Sequence, residues 1–278
     1  MKLSKVLLTS LSVALLSSAL LAGSSHGSHD SEEGACKGFG PQTPRDIDSV
    51  TGGNDRLFSI APSSKDMNLC NIHFHENAEH KSKEFSIYAG DGDHGYDSGY
   101  KCNISKNLSA AELAPTEEKI CKGKHGDLVP GDTIEVHWVF TSCDIAPGKG
   151  LGSCVSDSCA NPNLRVETQV FTLVNDANAL DWNKLTYDGN VVNGLHQPKG
   201  LPEGTGKPVE FTGSTTGPSY SESKCSPYQV SWSVRPSCAK LNINTVGKWC
   251  ADGNVFKEDH AHGVRKLVTN PELLSEIK

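Results

Sequence analysis

Ten cysteines constrain this chain more than any other feature. They are Cys36, Cys70, Cys102, Cys121, Cys143, Cys154, Cys159, Cys225, Cys238 and Cys250, an even set with no C-x-x-C pair. What they do depends on the compartment, because thiols pair and stay paired only in oxidising surroundings. The N-terminus points to that compartment. Lys2 and Lys5 precede an apolar run from Val6 to Leu21, and Ala22, Gly23 and Ser24 follow. A charged start, a short apolar stretch and small residues at its end make a secretory signal peptide, placed over residues 1–24. A membrane anchor is the alternative, but the run is short and broken by Ser and Thr. The chain is therefore expected to be exported, to a periplasm or to the extracellular medium. There an even set of cysteines reads as disulfides and not as a thiolate metal site. Cys154 and Cys159 are spaced to close a small loop, and spacing fixes no other pairing. No later stretch reaches the ~20 apolar residues of a membrane span, so no membrane association is expected after signal cleavage.

Residues 25–35 are small, polar and acidic, a flexible leader in which His26 and His29 sit as solvated side chains. The folded domain is expected over residues 36–278 as one unit. Hydrophobic residues make up 36% of the chain, enough for a packed core, while 27 Gly and 14 Pro imply many turns. The formal net charge of −7 argues against a nucleic-acid partner, which needs a basic surface. Alternation of apolar and polar residues predicts strands over 71–75, 84–88, 133–141, 165–174, 209–212 and 228–234. Short helices are predicted over 108–113 and 271–277, behind Asn or Ser caps. The expected fold is mainly β: a single domain with a central, largely antiparallel sheet, short helices and long loops, stabilised by disulfides.

Two of these strands carry histidines. In His73-Phe74-His75, a strand turns both imidazoles to one face and the phenyl ring to the other. An H-x-H pair alone fits two solvated histidines as well as half a metal site. His137 lies on the 133–141 strand, with Glu135 on the same face, and a neighbouring strand could set it opposite the first pair. Metal-bound histidines commonly donate their second N–H to a carboxylate, a supporting role that suits Glu135. Three imidazoles with an open fourth position describe a catalytic zinc site, and four protein ligands a structural one. A buried His–Glu pair without metal is the plainer alternative. No fourth ligand is evident: Glu79 and His80 would point to opposite faces if the strand ran on. The H-E-x-x-H motif of zinc peptidases is absent. Zinc is the expected metal, with cobalt or cadmium accepted by similar ligands.

Taken together, Cys70-Asn71-Ile72-His73-Phe74-His75, Ala78-Glu79-His80 and Glu135-Val136-His137-Trp138 resemble carbonic anhydrases. The match is nearest the δ class, with active-site motifs like those of the α class. The resemblance implies that His73, His75 and His137 hold zinc and that Glu135 supports a ligand. It implies reversible hydration of carbon dioxide to bicarbonate and a proton by zinc-bound hydroxide, with carbon dioxide, water and bicarbonate as the small-molecule substrates. The segment Gly213-Ser214-Thr215-Thr216-Gly217-Pro218, followed by Cys225 and Trp232, resembles the α-class Thr-Thr segment. By that likeness Thr215 orients the hydroxide and Glu79 accepts a hydrogen bond from the threonine hydroxyl. Gly217 replaces a proline of that pattern and one residue is missing after Ser214, so Thr216 is the alternative to Thr215. Glu79 also follows His75 more closely than in the α class, which requires a tighter turn. His94 and His125 are candidates for carrying protons out, with His196, His260 and His262 behind them; His260-Ala261-His262 is placed at a pocket rim or in an exposed tail, outside the metal shell. A catalytically silent anhydrase-like module and a zinc esterase are the alternative functions. Oligomeric state is not legible.

Overall fold

Thr133–Thr141 is a run of β-branched and aromatic residues, and every one of its nine side chains is buried. Such a strand needs neighbours on both edges and cover on both faces. The computed structural model describes residues 36–277, apart from 37, 50–51, 93–96, 124–125, 216–219 and 266–267. The expected signal peptide and leader, and His94, His125 and Thr216, lie outside the described residues, all of which belong to one unit spanning 35–278.

The main sheet contains β1 (Asn68–Glu76), β2 (Thr133–Thr141), β3 (Leu164–Val174), β4 (Val209–Ser214), β5 (Gln229–Val234), β6 (Ala239–Asn242) and β7 (His262–Gly263). Their order is β4-β5-β3-β2-β1-β7, with β6 also pairing β3. The pairs β1–β2, β2–β3 and β4–β5 are antiparallel. The pairs β3–β5, β3–β6 and β1–β7 are parallel, so the sheet is mixed rather than largely antiparallel. Alternation reveals which faces are buried but not how distant strands are joined, and long crossovers account for the difference.

Alternation divides β1 and β2 cleanly. Ile72, Phe74, Ile134, Val136, Trp138 and Phe140 enter one apolar core, together with Trp182 and Trp249. Burying each such side chain contributes roughly 1.5–3 kcal/mol. The Trp138 indole N–H, which must find a partner there, donates to the Leu185 carbonyl at 2.8 Å. The opposite face of the two strands carries Asn71, His73, His75, Glu135 and His137.

A helix that alternation did not predict, α1 (Ile243–Ala251), covers part of the apolar core with Ile243, Val246, Trp249 and Cys250. Its signals were weak. Asn242 caps it, and Gly247 lowers helix propensity in its middle. The glycine makes room for a neighbour: a Cβ at Gly247 would come within 2.5 Å of the Ile120 terminal methyl, which would have to shift. The predicted helix over 108–113 is a single turn, closed by Ser109 and Glu112 and followed by Pro115, which disfavours continuation. Residues 271–277 form a turn and then bridge to Gln42 and Asn54 instead of coiling into a helix. Of the 84–88 segment only Ile87–Tyr88 is a strand, paired with Tyr100–Lys101.

All ten cysteines are paired: Cys36–Cys225, Cys70–Cys154, Cys102–Cys238, Cys121–Cys250 and Cys143–Cys159. The expected Cys154–Cys159 loop is corrected by this pattern. Cys154 instead ties a turn of 3-10 helix at 151–154 to β1, close behind the histidines. Among the described residues no helix is long and apolar enough to cross a membrane.

Candidate metal centre

Register brings the three histidines together. In the antiparallel β1–β2 pair, His73 stands opposite His137 and His75 opposite Glu135. The three ring centroids are 5.0–5.2 Å apart. One nitrogen from each ring lies within 4.8 Å of the others. His137 Nδ1 is 3.3 Å from His73 Nε2, about the separation of two ligand atoms each ~2.0–2.1 Å from one zinc in a tetrahedron.

Two of the rings, His73 and His137, are held by what their other nitrogen touches. His137 Nε2 donates to Glu135 Oε1 at 2.7 Å, which leaves Nδ1 facing the other imidazoles. His73 Nδ1 donates to Asn71 Oδ1 at 3.1 Å, which leaves Nε2 free. His75 Nε2 lies 3.5 Å from Glu79 Oε1, and its buried Nδ1 has no hydrogen-bond partner. The carboxylate of Glu135 is shared with His80, whose Nδ1 donates to Oε1 at 2.7 Å and whose backbone N–H donates to Oε2 at 3.1 Å.

The turn after β1 makes this possible. The strand does not run on past Glu76. Asn77 adopts a left-handed conformation with φ 65°, which asparagine tolerates, and Ala78 bridges to Tyr100. Gly99 packs so closely beneath that a Cβ there would fall 2.5 Å from the Ala78 carbonyl oxygen. The chain reverses, and Glu79 and His80, both fully buried, come back onto the histidine face. His80 is thus a functional-site residue that periodicity missed, since a tight turn has no period. Its neighbour Glu79 in Ala78-Glu79-His80 was the available signal.

Electrostatics sort the rings. Burial pushes His73 and His75 well below the ordinary imidazole pKa, and the charge of His137 adds to this, so both are neutral with available lone pairs. Burial also pulls His137 down, but its hydrogen bond to Glu135 and the charges of Glu135 and Glu79 reverse the shift and raise it. Burial disfavours the charged form of Glu135; His80 and His137 outweigh this and hold its carboxyl well below the usual range. A divalent ion bound there would displace the proton of His137 Nδ1 and would be held by one nitrogen from each of His73, His75 and His137. This donor set fits zinc. His80, Glu135 and His137 also cluster tightly, but Trp232 and Phe211 pack against His80, and Glu135 already accepts hydrogen bonds from both rings.

The triad opens onto a cavity of about 320 Å³, lined by His73, His137 and Thr215 and walled by Val139, Val166, Val230 and Trp232. The Trp232 ring stands edge-on to His137, 5.2 Å between centroids. The Thr215 hydroxyl shares a 2.9 Å hydrogen bond with Ser226 Oγ, and its backbone N–H donates to the Tyr228 carbonyl.

The family model of the δ carbonic anhydrases matches residues 64–245, well over half of the chain and the whole of the histidine face. The chain belongs to the δ carbonic anhydrase family. Solved structures with some likeness are α-carbonic anhydrases or relatives. The α-carbonic anhydrase of Thermovibrio ammonificans in complex with sulfanilamide is 15% identical, over 80% of this chain and 82% of that one, with a TM-score of 0.26. A hyperthermostable carbonic anhydrase from an active hydrothermal vent chimney is 17% identical over 82% and 86%, with a TM-score of 0.27. The α-carbonic anhydrase of Photobacterium profundum is 15% identical over 84% and 88%, with a TM-score of 0.28. At those scores the likeness carries no structural argument. No curated protein matches the chain.

In this carbonic anhydrase the remaining predicted residues are dispersed. His196 is paired with the Tyr187 hydroxyl at 2.9 Å. His260 faces Asp259 and His262 faces Glu258. The His262 ring is 6.1 Å from both His73 and His75, because β7 pairs β1 with His262 beside His75.

Proposed function

We propose that this carbonic anhydrase is an exported zinc enzyme in which His73, His75 and His137 hold the metal. The observation that carries this reading is the cross-strand register of His73 with His137, which converges three neutral-capable nitrogens at the end of an apolar cavity. Zinc bound there supplies a Lewis acid that brings the pKa of its water toward neutrality, an effect for which carbonic anhydrase zinc is the reference case. Cobalt or cadmium suits the same donors.

The chain's own groups do the positioning. Glu135 takes the Nε2 proton of His137 in a hydrogen bond and so fixes the tautomer, and His80 holds Glu135 in turn. Val139, Val166, Val230 and Trp232 offer apolar, linear carbon dioxide a dry wall beside the histidines. In this reading Thr215, on the same cavity, orients the attacking oxygen through its hydroxyl and donates a hydrogen bond to Glu79 in place of the one it shares with Ser226, and Thr216 is the alternative. The proton released by the reaction leaves through a titratable side chain, a role proposed for His94 or His125. Five disulfides support an oxidising destination outside the cytoplasm.

Stopped-flow carbon dioxide hydration, normalised to zinc content, tests the reading. The expected result is a rate proportional to bound zinc, lost on chelation and restored by one equivalent. A rate that survives chelation, or a zinc-loaded protein without activity, contradicts it.

A further inference from the structure

The triad leaves a second pair of imidazoles unused. His260 and His262 flank Ala261 at the start of β7, with their side chains 42% and 44% exposed. Their ring centroids are 5.1 Å apart, the same separation as within the triad. His262 Nε2 lies 3.0 and 3.3 Å from the two carboxylate oxygens of Glu258, again near the edge length of a tetrahedral zinc shell with ~2.0–2.1 Å bonds. Glu258 is anchored. Its side chain is only 7% exposed, its backbone N–H donates to Asn254 Oδ1, and its carbonyl accepts from Asn254 Nδ2. His260 Nδ1 donates to Asp259 Oδ1 at 2.6 Å, which leaves Nε2 as its available donor.

We propose that Glu258, His260 and His262 bind a second divalent ion of the zinc class. The set is two nitrogens and one oxygen, which selects transition metals over calcium or magnesium. Glu258 and His262 supply the preformed edge, and the exposed His260 side chain, whose nitrogens do not converge with them in the structure, turns to complete the set and gives up its Asp259 hydrogen bond. Because β7 lies beside β1, the ion sits next to the triad, with the His262 ring 6.1 Å from two of its members. Repulsion from a dication already in the triad makes this second ion the weaker-bound of the two.

The test is calorimetric titration of zinc into the full, oxidised protein already carrying one confirmed zinc. Wild type is expected to take up a second equivalent, more weakly than the first. His260→Ala and His262→Ala are each expected to weaken that second event at least tenfold while retaining the first zinc. His73→Ala is expected to lose the first site and keep the second, which separates failure of the rim site from failure of the triad. Absence of a second event in wild type, or a second event unchanged in both rim variants, overturns the proposal.

Discussion

The two faces of β1 and β2 are alike in burial and opposite in chemistry. On one, Ile72, Phe74, Ile134, Val136, Trp138 and Phe140 pack against tryptophans and α1. On the other, Asn71, His73, His75, Glu135 and His137 are held beneath Trp232 and the returning Glu79-His80 turn. Burying polar groups is unfavourable unless they find partners, and here most find them in one another. The apolar face stabilises the fold. The polar face uses that stability to hold three imidazoles at fixed spacing. Changes on one side should therefore read out as stability, and on the other as metal and turnover.

The largest break should come from His137→Ala. It removes a nitrogen and leaves the Glu135 carboxylate with His80 alone. Metal affinity should fall by more than the ~10–100-fold typical of losing a supporting residue, and hydration should vanish with it. Metal analysis after dialysis, with activity on the same sample, checks this. One residue along, Trp138→Ala should do the opposite: a loss of about 3–5 kcal/mol in denaturant unfolding, with the folded fraction still binding zinc one to one. If Trp138→Ala loses metal before it loses structure, the two faces are not separable.

Glu135→Gln sharpens the contrast from the site side. The amide keeps the shape but not the charge that holds His137 in its tautomer, and zinc affinity should drop by about 10–100-fold, with a matching loss of about 1.4–2.7 kcal/mol in stability of the zinc-loaded fold. Competition with a chelator of known affinity measures it.

The smallest effect is on the pH dependence of the metal-free protein. Below about pH 6.5, the ordinary imidazole value, the unfolded chain takes up protons that folded His73 and His75 refuse, so stability falls as pH falls. Above it, folded His137 keeps a proton that the unfolded chain has released, so stability falls as pH rises through its raised pKa. The Tm of chelated protein should peak near that value. In zinc-loaded protein His137 no longer carries the extra proton, so only the acid-side loss should remain.

Much of the histidine face was legible because alternation is local. Thr133–Thr141 declares its own two faces, and His73, His75, Glu135 and His137 follow from counting by twos. What pairs with what was not local. The parallel joins of β3 with β5 and β6, and the partners of Cys70 and Cys154, depend on connections across many residues. α1 was hidden by Gly247, a residue chosen by the neighbouring Ile120 and not by the helix. His80 was hidden by the left-handed Asn77, where periodicity stops. The nearness of β7 to the triad, which sets His262 beside His75, had no signal in the sequence beyond the H-x-H pattern itself.

X-ray absorption at the zinc edge, on protein loaded with a single equivalent, tests the centre most directly. Three imidazole nitrogens and one light, exchangeable ligand at ~2.0–2.1 Å are expected, collapsing to fewer nitrogens in His137→Ala. A fourth imidazole, a sulfur ligand at ~2.3 Å, or a shell unchanged in His137→Ala contradicts an open three-histidine site.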